Sequence, residues 1–315
     1  MFNNNKQHFQ FEDIPDLSGK IAIVTGSTSG IGKPCAIELA RKGCTLVLPC
    51  RNESKGESLV KEIKEKTGNE KVEYIPLDLA SLESVKNFVE IFLSKYYQLH
   101  ILLNNAGMMP VGPFDRTEDG FETMFGVNVI ATHYLMIQLL PILEKSTPSR
   151  IVNVASNAHW ITSLVRSIIF ERMNDESYFN RFLQYGRSKA VLMLLSFELD
   201  RRLRSKGIDN LYVNTNHPGA VKNGPYYEKV KANSLFDQAM DLFFVTPEEG
   251  ALTQLYLATS PEVEEKNIHS QYYVPIAQPG STSAYTKSEK EATKAWELVE
   301  ELIKEKMPGY PGAHI

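Results

Sequence analysis

A glycine-rich turn between a strand and a helix constrains this chain more than any other feature. Residues 20–24 form an apolar, β-rich run. Thr25-Gly26-Ser27-Thr28-Ser29-Gly30-Ile31-Gly32 follows directly, and residues 31–42 then show helical periodicity. Glycines in such a turn let the backbone bend tightly and approach a bulky anion. The helix that starts there aims free N–H groups and the positive end of its dipole at the same place. The spacing, Gly-x-x-x-Gly-x-Gly, is one residue longer than the usual dinucleotide fingerprint. Gly26, Ser27, Ser29, Gly30, Ile31 and Gly32 are therefore candidates for holding a pyrophosphate. An ordinary strand-to-helix turn is the alternative for the loop taken alone.

The rest of the chain repeats the alternation. Strands are expected at 45–48, 72–76, 101–103, 151–154 and 211–214, with 272–275 closing the sheet. Helices are expected at 54–66, 81–96, 118–144, 187–204 and 288–307. Alternating strands and helices point to parallel βαβ units, and near-continuous apolar strands to a sheet covered on both faces. The expected fold is α/β: a single-domain, Rossmann-type doubly wound parallel sheet of about seven strands. Residues 1–19 read as an N-terminal extension and 20–285 as the catalytic domain. Residues 286–315 read as a terminal helix and tail packed on that domain. Residues 222–246 are aromatic and apolar (Tyr226, Tyr227, Leu235, Phe236, Phe243, Phe244) and follow a strand end. They read as a substrate lid, or alternatively as two surface helices.

Composition narrows the partners. Thirty-four Lys and Arg against 38 Asp and Glu leave a formal charge of −4, which argues against a nucleic-acid footprint. The longest apolar stretch, 134–143, is interrupted by Gln138 and Pro141. A spanning helix needs about 20 apolar residues, so no transmembrane segment is expected. Cys35, Cys44 and Cys50 are too few and too clustered for a disulfide framework. An intracellular, cytoplasmic protein is the expectation, with peripheral attachment to a membrane or lipid droplet as the alternative. The seven histidines lack metal-ligand spacing, so no metal site is expected.

Two further patterns carry chemistry. The second strand ends Leu48-Pro49-Cys50-Arg51-Asn52. An acidic residue at that tip would suit a free ribose 2′-hydroxyl. Arg51 stands there instead, and a guanidinium pairs well with a 2′-phosphate. This favours NADP(H) over NAD(H), although Glu53 lies close. Lys33 reads as a solvated side chain. Further along, Tyr185 and Lys189 sit at i and i+4 on one helix face, and Ser156 falls at the tip of the strand 151–154.

These residues, with Asn104-Asn105-Ala106-Gly107, Asn128 and Pro218-Gly219 in the same order, make the chain resemble the short-chain dehydrogenase/reductase family over roughly residues 20–280. The stretches 77–82, 117–122, 148–154 and 217–219 look most like its retinol-dehydrogenase-like branch, which includes the catalytic domain of the WW-domain oxidoreductases. The resemblance implies that Tyr185 is the proton donor in reduction and that Ser156 holds the substrate oxygen. It implies that Lys189 supplies charge and binds the nicotinamide ribose, and that Asn128 positions a relay water. Asp78 and Leu79 would flank the adenine, and Asn105, Ala106 and Gly107 the adenine ribose. Pro218, Gly219 and Val221 would border the nicotinamide. Relatives commonly dimerise through the helices expected at 118–144 and 187–204, so a homodimer is expected. Departures are Ala155 for a second serine, Val129-Ile130-Ala131 for His-Leu-Gly, Gly186 after the tyrosine, and a longer stretch 161–184.

His159 reads as ordering its loop or touching substrate, and His217 as shaping the turn behind the cofactor. Met108 and Met109 read as pocket lining or core, and Trp160 and Trp296 as packing residues. The expected function is hydride transfer between NADP(H) and an apolar aldehyde, ketone or corresponding alcohol. Alternatives are an NAD-linked alcohol, retinol or steroid-type dehydrogenase, and a non-catalytic NADP(H)-binding regulatory protein.

Overall fold

The first strand, β1 (Ile21–Val24), runs parallel to β2 (Thr45–Cys50) on one side and to β4 (Ile101–Asn104) on the other. β3 (Val72–Pro76) extends the sheet beyond β2. β5 (Ser149–Val154), β6 (Leu211–Asn216) and β9 (Tyr272–Val274) extend it beyond β4, all in parallel. A last antiparallel strand, β10 (Gln278–Pro279), makes the sheet eight-stranded, in the order β10-β9-β6-β5-β4-β1-β2-β3. That is one strand more than the seven expected. β10 is two residues long and contains a proline, so it carries no period to read. β7 (Ala220–Val221) and β8 (Phe244–Val245) form a separate parallel pair. The computed structural model describes residues 9–109, 112–165, 168–222 and 244–315. Most of the expected lid at 222–246 lies outside the described residues.

Successive residues of a strand face opposite sides of the sheet. Ile23, Leu102 and Ile151 enter one core, with α3 (Leu82–Lys95), α4 (Thr123–Lys145), α5 (Arg181–Ser205) and α7 (Glu289–Lys306). Ala22, Val24, Leu103 and Val152 enter the other, with α1 (Gly32–Arg41), α2 (Glu53–Thr67) and α6 (Pro247–Thr259). Phe9, Ile14 and Leu17 are buried in that second core. The described part of the N-terminal extension is thus built into the domain. The chain winds outward from β1 to β3, then returns to β4 on the far side of β1. This reversal opens a crevice beyond the strand ends, where ligands bind in such sheets.

Two helices begin elsewhere than their periodicity suggests. Residues 118–122 form a tight turn, closed by Thr117 N donating to Phe121 O at 2.8 Å and by Phe121 N donating to Thr117 Oγ1 at 3.2 Å. α4 starts only at Thr123, where Glu122 accepts from Met124 N and Phe125 N. Its segment Gly126–Ala131 is π-helical, a local widening that often marks a functional position. α5 starts at Arg181, capped by the Asn180 side chain. Tyr185 therefore lies in the second turn of α5 and does not open it.

α4 is also long and apolar enough to cross a membrane by length and composition, with mean hydropathy 1.5, although 89 % of that window is buried. The ten-residue run read from the sequence understates it, because His133, Gln138 and Pro141 break the run without breaking the helix. This helix is apolar on several sides because it is packed between α3, the sheet and α5.

α7 and the chain end cover α4 and α5. The Arg202 guanidinium lies 4.6 Å from the Trp296 ring, and the His133 ring meets Trp296 edge-on at 4.7 Å. Glu300 is buried at this junction. It pairs with His133 Nε2 at 2.8 Å and accepts from Tyr310 Oη at 3.0 Å and Ala313 N at 2.8 Å. Part of the helix face expected to form a homodimer is thus occupied by the chain's own terminus. Burial works against the Glu300 anion, but these bonds outweigh it and hold the carboxyl below its ordinary range. A lowered carboxyl contributes stability that is full above the ordinary carboxyl range and is lost as pH falls through the lowered one. Glu300→Ala leaves three partners unmatched, of which His133 is fully buried and Tyr310 and Ala313 half-buried. It should destabilise the protein by about 3 kcal/mol, measured by urea unfolding at neutral pH, and the difference from the parent should shrink as the medium is acidified.

Candidate active site

The glycine turn is held by the neighbouring strand tip. Thr25 Oγ1 accepts from both Asn105 N and Ala106 N at 3.0 Å. Asn105 Nδ2 donates back to Thr25 O at 3.0 Å and to Gly26 O at 3.1 Å. Gly26 has φ +65°, and a Cβ there would lie 2.8 Å from Ala106 Cα. Only glycine meets both conditions. Asn105 was expected beside the adenine ribose. Its backbone does line the cavity, but its side chain is spent on the turn and accepts from Gln254 at 3.3 Å. It acts as a brace.

A cavity of about 790 Å³ runs along the crevice, within the usual range of ligand sites, roughly 300–1,000 Å³. Its walls include Gly26, Ser29, Gly30, Ile31, Arg51, Asp78, Leu79, Asn105, Ala106 and Gly107, and also Ser156, Tyr185, Lys189, Pro218, Gly219 and Val221. Three expected site residues are not in the wall. Ser27 is wholly buried, Gly32 is packed against Asn105 and Gly26, and Asn128 lies behind the surface. They can shape the site but do not face it.

At one end, Arg51 follows β2 and Asn52 caps α2 by accepting from Lys55 N at 2.9 Å. Lys55 lines the cavity one helical turn from Arg51. Neither cation has an ion-pair partner among the described residues. Glu53 is exposed and absent from the wall. The facing carboxylate, Asp78, accepts from Ala80 N at 2.9 Å and so closes its own turn. Lys55 was missed in the sequence because nothing marks it apart from the other lysines of α2. Lys33, by contrast, is drawn away to Glu62 at 2.7 Å.

At the other end, β5 delivers Ser156 and α5 delivers Tyr185 and Lys189. Ser156 Oγ accepts from Ala158 N at 3.1 Å, and its hydroxyl is near enough to the Tyr185 side chain to favour the phenolate. α5 can come this close because of Gly186. A Cβ there would lie 2.5 Å from Ile161 Cγ2 and 2.6 Å from Ala158 O. Lys189 Nζ donates to Val154 O at 2.8 Å and lies 5.9 Å from the Tyr185 ring centre. A Cβ on Gly107 would sit 3.1 Å from that Nζ and 3.3 Å from Asn128 Oδ1. Asn128 Oδ1 accepts from Met108 N at 2.7 Å, and its Nδ2 donates to Met108 O at 3.1 Å and Ser188 Oγ at 3.0 Å. Lys189, Gly107 and Asn128 are thus one cluster.

Burial raises the Tyr185 hydroxyl above its ordinary range, opposed by the nearby Ser156 hydroxyl. The lowering expected from Lys189 does not prevail, because the same burial lowers Lys189 to about 8. Burial, then the neighbouring charge of His159, lowers His217 in the wall to about 4. His159 is buried, its Nδ1 2.8 Å from Ser156 O, so it orders the loop. Met108 and Met109 line the cavity. Trp296 is buried but Trp160 is 43 % exposed, so only the first of the two tryptophans is a packing residue in the core.

The turn, the helix start and the unpaired cations fit a phosphorylated dinucleotide, and the Ser156–Tyr185 pair fits a reacting oxygen. Lys189 carries a cost. A group whose pKa falls from 10.5 to about 8 on folding binds fewer protons folded than unfolded between those values, so stability rises with pH there. Lys189→Met should therefore raise the melting temperature at pH 7 by several degrees, on the order of 2 °C or more per kcal/mol for a chain this size. Calorimetry should show the gain vanish near pH 10.

The comparisons agree with this geometry. Residues 20–167 match the family model for short chain dehydrogenase. An uncharacterized oxidoreductase of Schizosaccharomyces pombe is 38 % identical over 286 residues, 88 % of this chain and 83 % of that protein. Retinol dehydrogenase 11 of Homo sapiens is 37 % identical over 290 residues, 91 % of this chain and 86 % of its own. The crystal structure of an uncharacterized protein from Mycobacterium Paratuberculosis matches with TM-score 0.74 at 29 % identity, covering 94 % of this chain and 97 % of that one. With a glycine turn at the switch point, a Ser156–Tyr185–Lys189 cluster at the far end and relatives of this extent, the chain belongs to the short-chain dehydrogenase/reductase family of oxidoreductases, in its retinol-dehydrogenase-like branch.

Proposed function

We propose that this protein is an NADP(H)-dependent oxidoreductase acting between an apolar aldehyde or ketone and the corresponding alcohol. One observation carries the reading. A single cavity joins the cations Arg51 and Lys55, which have no ion-pair partner among the described residues, to the hydroxyls of Ser156 and Tyr185. The relative named retinol dehydrogenase supports a lipophilic substrate, as do Met108, Met109, Val127 and Phe244 in the wall.

The nicotinamide, when bound, supplies the hydride. The protein supplies orientation and the proton. A phenol is protonated at neutral pH, and burial raises Tyr185 further, so it starts as a donor. Its proton passes to the carbonyl oxygen as that oxygen gains charge, while Ser156 holds the same oxygen in reach. Lys189 is largely charged at pH 7, with its pKa near 8, and its ammonium favours the phenolate left on Tyr185. Asn128 fixes Met108 and backs Lys189 from behind, the place from which a water could return the proton. A fixed arrangement of this kind removes much of the entropic barrier.

The cations also separate this reading from an NAD-linked dehydrogenase working in the oxidative direction. Charge-assisted hydrogen bonds are worth about 1.5–3 kcal/mol each. Arg51→Ala should therefore raise KM for NADPH about 10- to 100-fold and leave NADH nearly unchanged, with Lys55→Ala showing a weaker effect of the same kind. Equal losses for both cofactors would remove the NADP(H) assignment. NADPH consumption should be seen with apolar aldehydes and ketones, and Tyr185→Phe should abolish it while still binding NADPH by fluorescence. Full turnover in Tyr185→Phe would refute the mechanism.

A further inference from the structure

One buried carboxylate outside the cavity touches both helices that carry the site. Glu122 is 2 % exposed and stands at the head of α4. Its Oε1 accepts from Met124 N at 3.0 Å and its Oε2 from Phe125 N at 2.9 Å. Oε2 also accepts from Gln184 Nε2 at 2.7 Å. Gln184, 1 % exposed, immediately precedes Tyr185 on α5. Its Nε2 donates to Met173 O at 2.8 Å as well, so both amide hydrogens are engaged.

The surrounding contacts lead to the same junction. Glu122 N donates to Asn174 Oδ1. Asn174 Nδ2 donates to Gly120 O at 3.2 Å, and Arg116 donates to Asn174 O at 3.2 Å. The Arg187 guanidinium lies 3.6 Å from the Tyr178 ring centre and donates to Tyr178 O at 3.1 Å. The long connection 168–180 is thereby tied both to the head of α4 and to the first turns of α5.

A carboxylate at a helix start satisfies free N–H groups and the dipole whatever else it touches. That accounts for two of the side-chain bonds of Glu122. It does not account for the third, which reaches a different helix, at the residue beside Tyr185. We infer that Glu122 and Gln184 are positioning residues. Through them the head of α4, which carries Asn128, fixes the rotation and height of the first turns of α5, and so keeps the Tyr185 hydroxyl in the cavity wall beside Ser156. This rests on Tyr185 being the proton donor, since the tether acts on catalysis only through that side chain.

Gln184→Met keeps length and shape and removes the tether. Turnover is expected to fall about 10- to 100-fold, the scale of a misplacement near 1 Å. Kd for NADPH and KM for the carbonyl should stay within about twofold, since neither residue lines the cavity. Glu122→Gln should give a loss in the same direction, and the double variant should lose little more than the worse single one, because both act through one contact. A reporter independent of turnover is 3-fluorotyrosine placed at position 185 in the NADPH-bound protein. One narrow fluorine line is expected in the parent, and a shifted, broadened or doubled line in Gln184→Met. An unchanged line in Gln184→Met overturns the inference. So does unchanged turnover, or a loss of NADPH binding in step with activity. If Tyr185→Phe remains active, the catalytic reading fails, and the fluorine line still decides whether the tether positions this side chain.

Discussion

The bonds between Thr25 and the Asn105-Ala106 turn set the place of everything else. They join the tips of two strands that neighbour each other in the sheet but lie far apart in the chain. Between these tips the strand order reverses. Without the brace, the glycine turn would have no fixed distance from the opposite wall, and the N-terminus of α1 would have no fixed aim. With it, one end of the cavity is set by β2 and α2, and the other by β5 and α5. Asn105 spends its whole side chain on this task. The nearest polar side chain to a ligand is thus not always a ligand group.

The same cavity shows what chemistry costs the fold. Lys189 is a buried cation held by one backbone carbonyl, and burial lowers its affinity for the proton. Burying an ammonium with so little compensation is unfavourable. Tyr185 is shifted the other way, because for a phenol the charged form is the deprotonated one. One desolvated corner therefore drives apart two pKa values that nearly coincide in water, holding the proton on Tyr185 and loosening the one on Lys189. Both shifts follow from burial, which the two packed cores on either side of the sheet maintain.

The chain end belongs to this economy of packing. α5 turns Tyr185 and Lys189 toward the cavity, and α4 sets Asn128 behind them. On the other side lie α7 and the tail, joined through the Glu300 cluster. α4 is apolar enough to pass for a membrane span by composition. It owes this to its neighbours: a helix buried on several sides needs apolar residues on several sides, whatever medium surrounds the molecule.

The sequence by itself determined the architecture and pointed to the candidate reactive groups. The period of apolar residues is a local property, so the strands from β1 to β6 and their helices were legible. So were Ser156, Tyr185, Lys189, Arg51 and the glycine turn, because each sits at a fixed offset from a strand tip or on one helical face. Tertiary structure alone decided the rest. β10 is too short to carry a period. Lys55 differs from other lysines of α2 only by facing the crevice, and Ser27 and Asn128 proved to lie behind it. The need for glycine at 186 comes from Ile161 and Ala158, and the engagement of Glu122 with Gln184 comes from the packing of two helices. These are contacts between residues far apart in the chain. Neither spacing nor composition encodes such a contact; it exists only once the sheet has brought its two ends together.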